Sequence, residues 1–88
     1  MKIYKYPIRP NIKTYELPKN ARILSVGVQN GEIMIWVLVD PDAERENRII
    51  EIFPTGFVDI DNATRNFIGT VFIGDFVFHV FERLEEQN

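Results

Sequence analysis

Ala21-Arg-Ile-Leu-Ser-Val-Gly-Val-Gln29, Asn30-Gly31 and Glu32-Ile-Met-Ile-Trp-Val-Leu-Val-Asp40 follow one another without a break. Asn-Gly between two apolar runs is the strongest short hairpin signal a sequence carries, because both loop residues of a type I′ turn need φ > 0. A two-residue loop also sets the register. Gln29 pairs with Glu32, Val28 with Ile33, Gly27 with Met34, Val26 with Ile35, Ser25 with Trp36 and Leu24 with Val37. One face then holds Val28, Val26, Leu24, Ile33, Ile35 and Val37, a core surface. The other sets Trp36 across from Ser25 and Met34 across from Gly27, large against small, which leaves the indole and thioether room over neighbouring backbone. A strand apolar on both faces is covered twice or keeps one face for a partner. Double cover is hard in so short a chain, so Trp36 and Met34 mark a candidate partner surface, and self-association is one expectation.

The same reasoning applies at Gly74-Asp75, between Phe67–Ile73 and Phe76–Glu82, where a leading Gly suits a type II′ turn. That hairpin pairs Ile73 with Phe76, Phe72 with Val77, Val71 with Phe78, Thr70 with His79, Gly69 with Val80 and Ile68 with Phe81. Lys2–Tyr6 alternates as an opening strand stopped by Pro7 and Pro10, and Ile12–Leu17 forms another before Pro18. Asp42–Asn47 reads as a polar loop, Arg48–Phe53 as a strand closed by Pro54, and Thr55–Asn66 as the longest irregular stretch. About seven short strands on tight hairpins, with no amphipathic helix, predict an all-β domain. A small antiparallel barrel and a two-sheet sandwich both accept this strand count.

The 88 residues allow one domain, expected over 1–82 with a polar tail at 83–88, and a small core. Seven phenylalanines in a chain with 12% aromatic residues read as core filler. The net charge of −3, with no basic run, makes nucleic acid an unfavoured ligand. The absence of cysteine fits a reducing compartment. Met1–Tyr6 lacks the apolar run of a signal peptide and no stretch approaches a membrane span, so a cytoplasmic location is expected.

Chemistry-bearing residues are sparse. His79, the only histidine, sits on a face with Phe72, Val77, Ile68 and Phe81, with Thr70 as its polar companion. It reads as a half-buried structural residue or a ligand contact rather than a base, since no carboxylate lies within pairing distance to orient it. Asp40 and Asp42, like Asp59 and Asp61, are explained by local turns more simply than by a metal, and neither metal nor cofactor is expected. Thr55-Gly56 opens the long loop, Arg48 lies a strand away and Arg65 at the far end. Backbone N–H groups and guanidinium forks in such an arrangement suit a phosphate, with Phe57 available for stacking. Trp36, Tyr4, Tyr6 and Tyr15 are candidates for an aromatic interface. Ser25 has no evident base, so an enzyme is not expected.

Leu17-Pro18, Gln29-Asn30-Gly31, Trp36, Leu38-Val39-Asp40-Pro41, Thr55-Gly56, Ile68-Gly69-Thr70-Val71 and Phe78-His79-Val80-Phe81-Glu82 together resemble a small uncharacterised domain family encoded by bacteriophages and prophages. The chain departs from it at Pro54, where the family has Gly, and at Phe57, where it has His, which removes support for a catalytic loop histidine. The resemblance implies a phage accessory protein acting in the host cytoplasm. The leading expectation is a non-enzymatic, anti-defence protein, for example anti-CRISPR-like, that binds and inhibits a host protein. The alternative is a homo-oligomeric sponge that sequesters a small phosphorylated or cyclic-nucleotide signal with Arg48 or Arg65.

Overall fold

Asn30 and Gly31 both take positive φ, 53° and 77°, so the chain reverses as a type I′ turn requires. At the second hairpin only Gly74 is positive, at 57°, in keeping with type II′. The computed structural model describes residues 1–56 and 59–84. Its strands are β1 (Lys2–Ile8), β2 (Thr14–Pro18), β3 (Arg22–Gln29), β4 (Glu32–Val39), β5 (Arg45–Pro54), β6 (Arg65–Ile73) and β7 (Phe76–Arg83). They form two antiparallel sheets, β1-β4-β3 and β2-β5-β7-β6, which stack as a sandwich rather than closing into a barrel. Among the described residues no helix is long and apolar enough to cross a membrane.

The inner faces meet over an aliphatic core of Ile8, Leu17, Ala21, Ile33, Ile35, Val37, Val39, Ile50, Ile52, Val71 and Val80. Each Val, Leu or Ile among them contributes about 1.5–3 kcal/mol by leaving water, and Ala21 less. No aromatic residue is among them, which corrects the expectation that phenylalanine fills the core. Branched aliphatics suit the roughly 10 Å gap between sheets, and the rings are displaced to its rim and outer surfaces.

The strand bounds differ from the expected ones wherever a proline or a polar start suggests a break: β1, β5, β6 and β7 are longer, and β2 is shifted toward its C-terminal end and one residue shorter. β1 continues through Pro7 to Ile8, and β2 begins at Thr14 and includes Pro18. Both are sheet edges, where a missing N–H leaves no partner unsatisfied. β5 begins at Arg45, inside the expected polar loop, because Arg45–Asn47 pairs with Glu16–Pro18 of β2. β6 begins at Arg65, and β7 extends through Arg83, one residue past the expected domain boundary.

Both hairpins hold their expected register from the turn outward and then slip. Ser25 pairs with Trp36 but Ile23, not Leu24, pairs with Val37. Gly69 pairs with Val80 but Phe67, not Ile68, pairs with Phe81. Leu24 and Ile68 are therefore bulge residues, each adding one residue against the partner strand. Leu24, assigned to the core, is 43% exposed, and Ile23 packs on the core instead.

The two bulged strands are edges of opposite sheets and lie against each other. A Cβ placed on Gly69 would stand 2.7 Å from Val26 Cγ1, so only glycine permits this approach. Gly69→Ala is expected to lower stability by about 1–3 kcal/mol in urea denaturation. Adding Val26→Ala, which removes the opposing methyl, should restore part of that loss; an unchanged midpoint for Gly69→Ala would contradict the packing.

Candidate functional site

A spacing of five residues normally places two side chains on opposite faces of a strand. The bulge at Ile68 resets the alternation, so Phe67 and Phe72 both face outward from the four-stranded sheet, opposite Phe81 and Val77. They are 60% and 67% exposed. Phe67 packs on Phe81 at 5.2 Å between ring centroids, and Phe81 on Phe53 at 5.9 Å, both tilted. An aromatic row thus crosses β6, β7 and β5, with Phe72 standing beyond it on β6.

His79 lies in the middle of this face, between Thr70 on β6 and Phe53 on β5. Its Nε2 is 2.7 Å from Thr55 Oγ1 and its Nδ1 is 3.0 Å from Thr70 Oγ1. In a neutral imidazole one nitrogen donates and the other accepts, so the two hydroxyls satisfy both. Thr55 is held in turn by its N–H donating to the Val77 carbonyl at 3.1 Å, and Gly56 turns the chain with φ 77°. The histidine is a satisfied cross-strand tie without a carboxylate orienter, set among rings.

At the near end of the face the charges are fully committed. Arg65 Nε donates to Glu51 Oε1 and its Nη2 to Asp61 Oδ1, each at 2.7 Å, while its guanidinium carbon lies 5.4 Å from the Phe53 centroid. Arg83 completes the group, 3.5 Å from Asp61 and 3.9 Å from Glu51. The hydrogen bond to Glu51, then that to Asp61, raises the Arg65 pKa. The Ala63 N–H, then Arg65, holds the Asp61 carboxyl below the usual carboxylate range. A carboxylate with a depressed folded pKa stabilises fully above its unfolded pKa, and that contribution is lost as pH falls through the folded value. The Ala63 amide, bonded to Asp61 Oδ1 at 3.0 Å, is therefore expected to stay protected from exchange through the ordinary carboxylate range and to open only below it. Asp61→Asn should abolish that acid transition; an Asp61 carboxyl titrating at its ordinary value would contradict the network.

Arg48 faces the other way. On the inner side of β5, its Nε and Nη2 donate to the two Glu82 carboxylate oxygens, the second at 2.9 Å, and its Nη1 donates to the Ala21 carbonyl at 2.8 Å. The Glu82 hydrogen bond raises the Arg48 pKa, opposed by burial. Arg48 and Arg65, the alternative phosphate-binding arginines of the sequence reading, thus lie on opposite faces of a sheet with their forks already occupied by carboxylates. Phe57, the proposed stacking residue, lies outside the described residues.

The Trp36/Met34 face is likewise not the open surface the alternation suggested. Met34 is only 9% exposed. The Trp36 ring lies over Gly27, whose Cβ would meet it at 3.2 Å, and Lys5 Nζ donates to Gln29 across β4. Gly27 thus lets the indole lie against the β3 backbone, and the Lys5–Gln29 bond spans the strand beside it. The tyrosines do not join it: Tyr6 packs on the core, and the Tyr15 hydroxyl holds the 9–12 connection by accepting from Arg9 N–H and donating to Ile12 O. Phe67 escaped the sequence reading because the Ile68 bulge is not written in residue types, whereas Phe72 was already legible on the His79 face.

No curated protein and no solved structure matches the chain. The family model described as Domain of unknown function (DUF7352) matches residues 1–88, and the chain belongs to that family.

Proposed function

We propose that this domain is a non-enzymatic phage accessory protein that docks on a host protein and inhibits it, using the outer face of its four-stranded sheet. One observation carries the reading: Phe67, packed on the Phe53–Phe81 pair, and Phe72, further along β6, stand exposed on a single face. Exposed aromatic rings are enriched among the anchors of protein–protein contacts. His79 adds no unmet polar atom there, so covering the middle of this face strands no imidazole nitrogen.

The sheet edges support a face-on contact rather than strand addition. β1 carries Lys2, Lys5 and Pro7, β2 has five residues ending at Pro18, and β3 and β6 are bulged. Lysines, prolines, short strands and bulges are the devices that discourage edge pairing. The phage setting rests on the sequence resemblance. The sponge alternative is disfavoured at its first location, since the guanidinium groups of Arg48 and Arg65 are held by Glu82, Glu51 and Asp61.

Native mass spectrometry of the tagged chain, purified gently from host cells, tests the reading. A stoichiometric adduct with a host protein is expected. A homo-oligomer carrying a small extra mass would favour the sponge, and a bare monomer would count against both.

A further inference from the structure

We infer that the seam between β3 and β6 holds a second binding site, for a small anion carried on a flat ring, such as a nucleoside monophosphate. The two bulge residues, Leu24 and Ile68, both line a cavity of about 320 Å³ there, together with Arg22, Arg48, Asn66, Phe67 and Glu82. Bulges recur beside functional sites because they splay a strand and re-aim its side chains. An apolar cavity of about 150 Å³ already accepts benzene, so this one has room for a ring and a charged group.

Charge selects the ligand. Of the six arginines, Arg9, Arg48, Arg65 and Arg83 are paired with carboxylates. Among the described residues Arg22 and Arg45 have no such partner, and of these two Arg22 lines the cavity. Glu82 also lines it, but its charge is neutralised by Arg48, which leaves the cavity a net positive charge on an acidic protein. A guanidinium matches phosphate geometry with two parallel N–H donors, and Asn66 adds amide donors beside it. Phe67, exposed at the rim, offers a ring for stacking. The cavity sets the Phe67 ring and the apolar Leu24 alongside Arg22, a lining that suits a ligand carrying a ring as well as a negative charge.

The test is a ¹H–¹⁵N titration of the full chain with AMP, adenosine and inorganic phosphate in parallel. AMP is expected to shift the amides of Ile23, Leu24, Asn66, Phe67 and Ile68, and to bind more tightly than either fragment. Arg22→Ala should weaken AMP about tenfold or more, whereas Arg45→Ala, the other unpaired arginine, should leave it unchanged. The remainder of each spectrum reports whether the variant is folded. Absence of shifts at the seam, equal weakening by both arginine variants, or phosphate binding as tightly as AMP would overturn the proposal. Failure here leaves the docking face untouched, since that face is read by host-protein capture.

Discussion

Arg48→Met is expected to destabilise the fold by about 2–4 kcal/mol, seen as a thermal midpoint lowered by on the order of 10–30 °C. The substitution leaves the Glu82 carboxylate, 11% exposed, without its guanidinium, and orphans the Ala21 carbonyl. Removing one partner of a fully buried pair typically costs about 3–5 kcal/mol; Arg48 retains 19% of its side-chain exposure, so water relieves part of that. Domains of this size have roughly 4–13 kcal/mol of total stability, and the variant would lose a large share. The converse change should be milder. In Glu82→Gln the guanidinium keeps the Ala21 carbonyl and has Glu46 at 3.8 Å to turn toward. Arg48→Met with Glu82→Met should recover much of the loss, because an apolar pair leaves no charge stranded between the sheets. Equal costs for both single variants would mean that the pair is solvated rather than buried.

The position of that ion pair shows what sequence patterning can and cannot convey. Alternation and the Asn30-Gly31 turn place the hairpin strands and their pairing as far as Ser25–Trp36. Nothing in Leu24-Ser25-Val26-Gly27-Val28 announces a bulge, since the alternation there is regular. The slip arises where β3 must meet β6 across the seam, a tertiary demand that Gly69 and Val26 record as a close approach. Prolines misled in the opposite sense. Pro7 and Pro18 break strands only where the N–H is needed, and edges need fewer of them. Arg45-Glu46-Asn47 looked like a loop because its only cover is the short edge strand β2.

The site was less legible than the fold for a related reason. An arginine is informative only with its partners, and of the carboxylates that occupy Arg48 and Arg65 only Asp61 is near in sequence, four residues from Arg65, whereas Glu82 lies 34 residues from Arg48 and Glu51 lies 14 from Arg65. Met34 reads as free to bind from alternation alone, yet it is only 9% exposed, and alternation carries no signal for that cover. Phenylalanine misled by its very frequency, since Phe67 and Phe72, like Phe76 at the second hairpin's tip, stand outside an aliphatic core.

Phe67→Ser with Phe72→Ser is expected to weaken capture of the host protein about a hundredfold or more while leaving the thermal midpoint almost unchanged. Anchoring rings in an interface cost about 2–4 kcal/mol each when truncated, and each factor of ten in affinity is about 1.4 kcal/mol. The folded state barely depends on these two rings, because both are mostly exposed and neither belongs to the buried cluster. Phe76→Ser is the internal control. It is 58% exposed, but it stacks on Phe78 along the inner side of β7 and belongs to the hairpin tip. If the outer face is the contact, this variant should retain the partner. Loss of the partner with Phe76→Ser and its retention in the double variant would move the interface to the tip. Retention in all variants would leave no role for the aromatic surface, and docking through that face would be wrong.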